Sequence, residues 1–575
     1  MKRKISKRFM RWPEPALALV AFVGLLLSCK MPTEKQDVSK LTEDFVYGSL
    51  ALSPVSATAA GYHEHNGVKL GGKLDDYSAA GIQAQQQFYS GFRDRLAAIG
   101  RDQLSKEDGA DYQILTNQTE LALLELREIQ SYRHNPTVYV ELVGNALFSP
   151  FVLEYAPIES RYRDIIQRLG AVPALMDQAK TNLVDAPEVW NRVAQEENEG
   201  NIGLIDQTLR AKTPAALKQD FDRAADQALT SLRAFNAYLK NDLSKKTSDW
   251  RLGKEKYDKK FAYTLVAGKQ PEQVLSEAEA ALKNIREEMA KLAAPKSVKE
   301  ALDQIAQQHP TPENYMDQAR KDLELATSFV RERRLVTLPS RGNLQVIPTP
   351  EFMRGIYAVG GFNPAPALEP QLGAFYWVTP IPSNWPKERI ESKLREYNTY
   401  GLMQLTIHEA MPGHWVQFEV ADNVQPKSRR LLRNLFGNGP YIEGWATYAQ
   451  QLMSDEGFLN NSVELRLTFY KQLLRAIANS ILDIRFQTMG MTEMEAMDLM
   501  VNETFQEKEE ASAKVQRAQL SSCQLPTYFV GWRGWLDTRE EYKKRKGAGF
   551  NLQEFHDQAL KESAVPMPVL GGLLP

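Results

Sequence analysis

Two histidines and an acid lie close together in segment 408–414, HEAMPGH, which contains two of the seven histidines of the chain. Neutral imidazole nitrogens bind zinc, and a carboxylate beside the metal can take a proton from the water that the metal activates. Glu409, which directly follows the first histidine, suits the second role. The segment therefore indicates a water-activating metal site with His408 and His414 as candidate ligands.

The spacing of these histidines differs from the zinc-binding pattern H-E-x-x-H, in which they share one helical face. Here the second histidine is six residues after the first, a rotation of about 600° on a regular helix. A straight helix would therefore point His414 away from His408. Pro412 and Gly413 can break the helix and turn His414 back. The alternative is a helix that ends at Met411, with His414 capping the next segment.

Helices are predicted on both sides of this segment. Lys393 to Ile407 has apolar residues at roughly helical spacing, and a second helical run extends from Tyr441 to Met453. Glu443 lies in the first turn of the second run. A carboxylate on a following helix completes many two-histidine zinc sites and leaves one position open for water. Glu443 is also an ordinary first-turn acid that the helix dipole would favour.

The two patterns H-E-x-x-P-G-H and E-G-W-x-x-Y, about thirty residues apart, together resemble the bacterial family known as domain of unknown function 885. That family is similar to the zinc metallopeptidases with a glutamate as third ligand, the gluzincins. The resemblance extends from about Leu41 to Leu570. It implies that His408, His414 and Glu443 bind one zinc ion per chain and that Glu409 is the general base. The resemblance supports the assignment to the metallopeptidases more strongly than it supports any particular substrate.

Composition sets the broad class of the protein. The chain has 575 residues, of which 43% are hydrophobic and 25% charged, as in soluble globular proteins. The length allows two to four domains or one large helical body. The net charge of −2 gives no electrostatic reason to expect a nucleic-acid partner.

Residues 1–29 resemble a lipoprotein signal peptide. A basic start precedes the apolar run Ala16–Leu27, which is too short to span a membrane. Residues 26–29, at the end of this run and just after it, are Leu-Leu-Ser-Cys, so we expect Cys29 to be lipidated and to become the mature N-terminus. The alternative is a plain secretory signal that ends in cysteine. Residues 30–40 are expected to form a disordered tether.

The signal peptide predicts a location in the bacterial cell envelope. The protein would be anchored to a membrane through its lipid and would face the periplasm or the exterior. Lys30 at the next position slightly favours the outer membrane, because the aspartate that retains some lipoproteins in the inner membrane is absent. With Cys29 lipidated, Cys523 has no disulfide partner and is expected to be a small buried hydrophobe.

The fold class predicted for the mature chain is mainly α, a large metallopeptidase-like helical body around a deep cleft. We expect a helical N-terminal lobe at residues 41–250 and a catalytic lobe at residues 251–575, with a charged, turn-like boundary near Lys245–Tyr263. Helical periodicity predicts long helices at Ala79–Ile99, Asp108–Gln130, Pro157–Asp185, Pro187–Leu209, Pro214–Asn241, Gln273–Leu292, Pro312–Arg334, Ser462–Arg485, Thr492–Val501 and Glu503–Leu520.

A small sheet is predicted at about residues 344–378, just before the catalytic helix. Its strands are the β-branched or aromatic runs Leu344–Ile347, Gly355–Val359 and Ala374–Val378. An edge strand of such a sheet can pair with an extended peptide. Tyr376 in the third run is therefore a candidate substrate contact. The alternative is a sheet that only supports the site.

Three further residues are candidates for the reaction. The oxyanion that forms during hydrolysis needs a hydrogen-bond donor, which a tyrosine hydroxyl or a histidine N–H can supply. The family resemblance points to Tyr528 and His556 near the cleft. Arg517 could pair with a carboxylate of the substrate, which fits its fork of donors. Each of the three could equally have a structural role.

These observations predict a zinc metallopeptidase whose substrates are short peptides, because helical walls around a deep cleft would exclude folded proteins. One alternative is a metal-dependent amidase that acts on non-peptide or cell-wall amides. Another is a catalytically silent lipoprotein that binds peptides or scaffolds envelope proteins, although the intact Glu409 argues against it. A third is that the histidines bind no metal. The sequence leaves open the oligomeric state and whether cleavage is internal or from an end.

Overall fold

Helices dominate the described part of the chain, because runs rich in Ala, Leu, Glu, Gln, Lys and Arg with apolar residues three and four apart favour packed helices. The structure is a computed structural model, and it describes residues 38–350, 354 and 359–575. The prediction of a mainly α fold is confirmed. The predicted signal peptide, Cys29 and most of the predicted tether lie outside the described residues. Among the helices described, none is both long and apolar enough to cross a membrane.

The helices are numbered along the chain. The first fourteen are α1 (Val38–Leu52), α2 (Pro54–Ala59), α3 (Ala79–Ala97), α4 (Lys106–Leu124), α5 (Ser131–His134), α6 (Thr137–Val152), α7 (Ile158–Asn182), α8 (Glu188–Gly203), α9 (Arg210–Lys212), α10 (Lys218–Asn241), α11 (Lys254–Leu265), α12 (Pro271–Ala293), α13 (Val298–Ala306) and α14 (Tyr315–Arg333). The others are α15 (Lys387–Glu396), α16 (Thr399–Glu409), α17 (His414–Ala421), α18 (Lys427–Leu435), α19 (Gly439–Asp455), α20 (Phe458–Asn461), α21 (Val463–Thr488), α22 (Glu493–Asp498), α23 (Lys508–Leu520), α24 (Thr527–Lys546), α25 (Leu552–Lys561) and α26 (Met567–Leu573).

Two small sheets complete the described structure. Strands β1 (Glu64–His65) and β2 (Val68–Lys69) form an antiparallel hairpin, and the second sheet contains β3 (Leu344–Pro348), β4 (Gly360–Asn363) and β5 (Ala374–Val378). The order in the second sheet is β3-β5-β4, with β3 parallel and β4 antiparallel to β5.

Two of the three predicted strands coincide with β3 and β5. Residues 355–358 of the third lie outside the described residues, and the described strand that follows them is β4.

Two predicted helix boundaries were wrong. The helix expected from Lys393 to Ile407 is divided between α15 and α16, because the Asn398 side chain accepts hydrogen bonds from the first amides of a new helix. The helix expected from Glu503 begins at Lys508. Phe505 has a φ of 58°, which no right-handed helix accommodates for a bulky residue.

The hydrophobic core of the described residues contains three clusters. One cluster is built from side chains between residues 55 and 243, mainly on α6, α7 and α10. Another is built from residues 257–574 with Ala110, and it surrounds α16, α19, α21 and α24. Cys523 belongs to the second cluster and is fully buried, as predicted. The third cluster combines side chains of α1, α3 and α4 with Leu431 and Leu432 of α18. The predicted lobe boundary remains a prediction.

Candidate metal centre

The first two residues of the candidate centre lie at the end of α16. This helix is buried along most of its length and ends with His408 and Glu409 in its last turn. Its start is fixed by Asn398, whose side-chain oxygen accepts from the amides of Tyr400 and Gly401 at 3.0 and 3.1 Å. The packed helix therefore gives His408 and Glu409 a defined position at its end.

The Pro-Gly pair turns the chain back so that His414 faces His408. After α16 ends, the amide of Gly413 donates to the carbonyl of Ile407 at 3.0 Å, and α17 begins at His414. A Cβ at position 413 would lie 1.9 Å from the carbonyl oxygen of His408, so only glycine fits this close approach. The two imidazole rings are 4.8 Å apart between centroids and nearly perpendicular, at 85°. The geometry that a straight helix forbids is thus reached through the break.

Trp445 links this turn by hydrogen bonds to α19, the helix that carries Glu443. Its indole Nε1 donates to the carbonyls of Pro412 at 2.9 Å and Gly413 at 3.1 Å, and the side chain is fully buried. Trp445 is two residues after Glu443 on α19. The tryptophan of the E-G-W pattern therefore sets the distance between the histidines and the glutamate.

Glu443 is positioned by a close crossing of α19 and α24. A Cβ at Gly444 would lie 2.5 Å from the Cα of Gly531, and a Cβ at Gly531 would lie 1.9 Å from the carbonyl oxygen of Pro440. Two glycines are therefore required for this contact. The crossing places Glu443 beside the first turn of α24, where Tyr528 lies.

The three side chains form the one cluster of His, Cys, Asp and Glu with metal-ligand spacing that is present among the described residues. Oε2 of Glu443 lies 3.4 Å from Nε2 of His408 and 3.5 Å from Nε2 of His414. Ligand atoms about 2.0–2.1 Å from a tetrahedral zinc ion are about 3.3 Å apart. The spacing therefore fits a zinc ion held by two nitrogens and one oxygen.

An unsatisfied polar atom also fits a bound cation. Oε2 of Glu443 is buried and makes no hydrogen bond within the described structure. An unpaired buried carboxylate oxygen is costly, and a metal ion facing it would remove that cost. The triad therefore has the donor atoms of a metal site, including a buried carboxylate oxygen that a cation would stabilise.

The electrostatics of the triad favour a positive charge between its members. Burial disfavours the ionised form of Glu443, but the imidazoles of His408 and His414, whose Nε2 atoms face Oε2 at 3.4 and 3.5 Å, outweigh it and hold the pKa of Glu443 well below its usual range. Burial likewise acts to lower the pKa of His408, but the carboxylates of Glu443 and Glu409 outweigh it and raise that pKa. The glutamate thus stays ionised and draws a cation to the histidines.

Gln450 orients the first histidine, and sequence reasoning missed it. Its Oε1 lies 3.4 Å from Nδ1 of His408. The Nε2 group of Gln450 donates to the carbonyl of Gln404 at 3.0 Å and to Oε1 of Gln472 at 2.6 Å, which fixes the amide with its oxygen towards His408. This arrangement leaves Nε2 of His408 free for a metal. Position 450 is seven residues, or two helical turns, after Glu443, and that spacing could have revealed it.

Glu409 and Tyr528 both lie beside the triad with half-buried side chains. The ring of Tyr528 stacks on that of His408, with centroids 6.3 Å apart and an angle of 26°. Burial, together with the negative charges of Glu443 and Glu409, raises the pKa of Tyr528 far above its usual range. Its hydroxyl therefore remains protonated and can donate a hydrogen bond.

His556 has a structural environment. Its Nδ1 donates to the carbonyl of Leu335 at 2.6 Å, and its Nε2 accepts from the hydroxyl of Tyr448 at 2.8 Å. Burial lowers its pKa to about 4, so the ring is neutral and both nitrogens are occupied. The ring packs behind Trp445 at 5.4 Å. We therefore assign His556 to the support of the E-G-W-x-x-Y helix rather than to the reaction.

Tyr376 is also fully buried, with its hydroxyl 3.1 Å from Oγ1 of Thr406 on α16. It lies on β5, which is the central strand, so the predicted edge position was wrong. The edge strand beside the triad is β4. Phe362 on β4 stacks against His414 with centroids 6.3 Å apart. This placement makes Tyr376 a support for α16.

Arg517, the predicted partner of a substrate carboxylate, lies on α23 with an exposed side chain, and its charge acts on Tyr528. Lys514, one turn earlier on the same helix, was missed by sequence reasoning. The charge of Glu443 acts on Lys514. The structure thus brings two cations to the neighbourhood of the triad.

Comparison with known proteins gives a family and a fold. The profile of a family described as bacterial protein of unknown function, DUF885, matches residues 54–574. The solved structure of a candidate lipoprotein of unknown function from Shewanella oneidensis has a TM-score of 0.78 and 28% identity, over 93% of this chain and 99% of that one. A candidate lipoprotein from Colwellia psychrerythraea has a TM-score of 0.77 and 18% identity, over 94% and 98%. No curated protein matches the chain.

Proposed function

This chain belongs to the DUF885 family of bacterial proteins of unknown function, and we propose that it is a zinc-dependent hydrolase that cleaves peptide bonds in short peptides. The observation that carries the proposal is the triad of His408, His414 and Glu443, whose donor atoms have the spacing of zinc ligands. The half-buried carboxylate of Glu409 and the protonated hydroxyl of Tyr528 beside it supply the other groups that hydrolysis needs.

Each residue has a separate task in the proposed reaction. The triad would hold the zinc ion, which acts as a Lewis acid on water and on a carbonyl group. Glu409 accepts a proton from the attacking water, whose oxygen bonds to the carbonyl carbon. The C–N bond then breaks, and Glu409 returns the proton to the leaving nitrogen. Tyr528 donates a hydrogen bond to the carbonyl oxygen as that atom gains negative charge.

The recessed position of the triad supports short peptides as substrates. The side chains of His408, His414 and Glu443 are only 15%, 9% and 21% exposed. A folded protein cannot bring a backbone carbonyl to such a site, whereas an extended chain of a few residues can. The edge strand β4, which carries Phe362 against His414, offers such a chain a backbone to pair with.

We further propose that the protein is a lipoprotein of the bacterial envelope, anchored through Cys29. The pattern of residues 1–29 supports this, and so does the similarity to two solved structures of candidate lipoproteins. The hydrolase would then act on peptides in the periplasm or outside the cell. Mass spectrometry of the membrane-extracted protein tests the anchor, because a lipid-modified cysteine at the N-terminus is expected and an unmodified one would contradict it.

Hydrolysis of a mixed library of internally quenched peptides tests the catalytic proposal. The zinc-loaded chain is expected to cleave members of the library, and Glu409→Gln is expected to bind zinc but lose nearly all activity. Glu388→Gln, at an exposed position on α15, is the matched control and should remain active. Activity that survives in Glu409→Gln would remove Glu409 from the mechanism. A zinc-loaded chain that cleaves no peptide would contradict the proposed function.

A further inference from the structure

Helix α23 presents three charged side chains on one stripe beside the metal centre. Glu510, Lys514 and Arg517 occupy positions i, i+4 and i+7, which share one helical face. The charge of Lys514 interacts with that of Glu443, and the charge of Arg517 acts on Tyr528. The stripe therefore lies within electrostatic reach of both the triad and the proposed oxyanion donor.

The acid of this stripe is already neutralised by other groups. Oε1 of Glu510 lies 3.2 Å from the guanidinium of Arg475 and accepts from the hydroxyl of Tyr397 at 3.3 Å. The other acid nearby, Glu396, is bound by Arg475 and by Lys471 at 2.7 Å. Each acid thus forms its ion pairs with cations other than Lys514 and Arg517.

Lys514 and Arg517 have no such partner. Across the described residues, no carboxylate oxygen lies within 4.0 Å of the ammonium of Lys514 or the guanidinium of Arg517. Burial lowers the pKa of Lys514 to about 8; Glu510 opposes this effect, and the charges of Arg475 and Arg517 add to it. The pair therefore adds positive charge that no direct ion pair neutralises, and a bound divalent metal would increase that charge.

Other charged residues nearby do not form ion pairs with Lys514 or Arg517 in the part of the chain that the structure describes. Lys393 adds a third cation, with its ammonium 4.5 Å from the ring centroid of Tyr397. Glu141 on α6 and Asp483 on α21 both interact with the charge of Arg517, but both remain beyond ion-pair distance within the described structure. The two cations on α23 thus have no direct ion-pair partner among the described residues.

We propose that Lys514 and Arg517 bind the C-terminal carboxylate of the substrate, which makes the enzyme a carboxypeptidase that acts on short peptides with a free C-terminus. This inference rests on the proposed peptidase function. Both cations act on groups of the metal centre, so the carboxylate belongs to a residue only shortly downstream of the bond that is cleaved. The planar fork of Arg517 suits a carboxylate, and Lys514 adds a second charge-assisted hydrogen bond.

Binding of matched peptides tests this carboxylate site without relying on turnover. The protein is the zinc-loaded Glu409→Gln variant, and the probes are trialanine with a free C-terminal carboxylate and the same peptide with a C-terminal amide. Calorimetry measures both affinities. We expect the free acid to bind about tenfold or more tightly than the amide, because a charge-assisted hydrogen bond contributes that much.

Substitutions on α23 then test which residues cause the preference for the free acid over the amide. Lys514→Met and Arg517→Met, each in the Glu409→Gln background, should each reduce the preference for the free acid several-fold and leave the affinity for the amide nearly unchanged. Lys508→Met, at the exposed start of the same helix, should keep the full preference. Equal binding of acid and amide, absence of binding by both, or a preference that survives both substitutions would overturn the proposal.

The same design separates this inference from the function on which it rests. Cleavage of quenched peptides with blocked C-termini as fast as those with free C-termini would leave a peptidase but remove the carboxylate site. Binding of the free acid through Lys514 without cleavage of any peptide by the zinc-loaded parent would retain the carboxylate site and contradict the peptidase.

Discussion

The indole of Trp445 donates a hydrogen bond to the carbonyl oxygen of Pro412 at 2.9 Å, and so joins the two halves of the metal-site pattern. The proline belongs to the turn between the two histidines, and the tryptophan belongs to the helix of Glu443. Because the same nitrogen also contacts the carbonyl of Gly413, one buried side chain fixes the turn relative to the third ligand. The relationship makes Trp445 a determinant of metal affinity although it offers no ligand atom.

Trp445→Phe is therefore expected to weaken zinc binding by about tenfold or more, the usual effect of losing a group that positions ligands. Phenylalanine fills much of the space but cannot donate to the two carbonyls. Competition with a chromophoric chelator measures the affinity. Trp250→Phe, at a tryptophan that packs on Phe486 in another part of the chain, is the control. Unchanged zinc affinity in Trp445→Phe would refute the role assigned to the indole.

Gly413→Ala is expected to disrupt the turn between the histidines. A Cβ there would lie 1.9 Å from the carbonyl oxygen of His408, so the backbone that holds both ligands must move. We expect loss of zinc binding and a lower melting temperature. Gly91→Ala, at a helical position with open space around the new Cβ, should keep zinc binding and stabilise the chain by up to about 1 kcal/mol. Full zinc binding by Gly413→Ala would show that the turn tolerates rearrangement.

Gln450→Leu is expected to reduce zinc affinity about 10- to 100-fold, because His408 loses the acceptor that fixes its Nδ1 proton. Leucine keeps the size of the side chain, so the fold should persist. The same chelator competition gives the affinity, and circular dichroism checks the helices. Gln83→Leu on the exposed face of α3 provides the comparison and should bind zinc normally. Equal affinity in the two variants would argue against orientation by Gln450.

Much of this site follows from the sequence because its parts are local or paired in one pattern. The ligands His408, His414 and Glu443 lie within two short segments, and the Pro-Gly pair between the histidines indicates a break in the helix. Gln450 and Lys514 act only after α19 and α23 have packed against the rest of the body. Only its spacing of two helical turns after Glu443 indicates a role for Gln450, and nothing in the segment of Lys514 distinguishes it from a surface residue.

The errors in the predicted structural elements also arise from packing between distant segments and from capping by single side chains. Asn398 reads as one polar residue within an apolar helical pattern, yet its side chain starts a new helix by capping two amides. Tyr376 lies on an aromatic run typical of any strand, and the order β3-β5-β4 that buries it depends on pairings between distant segments. The periodicity of a single segment cannot determine such long-range choices.

The contribution of two buried acids to the stability of the zinc-free protein is expected to fall as the pH rises from 5 to 8. Burial raises the pKa of Asp483 from 3.8 to about 6 and that of Asp322 from 3.8 to about 7. Both groups bind protons more tightly in the folded chain, so their contribution is fully present below pH 3.8 and is lost as the pH rises through 6 and 7.

Asp483→Asn should remove part of this dependence, and it should raise the free energy of unfolding at pH 8 by about 3 kcal/mol relative to the parent. Asparagine keeps an oxygen that can accept from the hydroxyl of Tyr257 and the amide of Cys523. Urea denaturation in the presence of a chelator gives the values, with the exposed Asp102→Asn as the control. A pH slope that Asp483→Asn leaves unchanged would be inconsistent with a raised pKa of Asp483 in the folded chain.

The most direct test of the central claim is the metal content of the purified chain lacking residues 1–29, measured by mass spectrometry beside His414→Ala. His414 reaches the triad only through the break at Pro412 and Gly413, so its loss probes the whole arrangement. We expect about one zinc ion per chain in the parent and in His65→Ala, a control on the β1 hairpin, and almost none in His414→Ala. Zinc retained by His414→Ala, or no zinc in the parent after zinc is added, would contradict the metal centre and the hydrolase proposed from it.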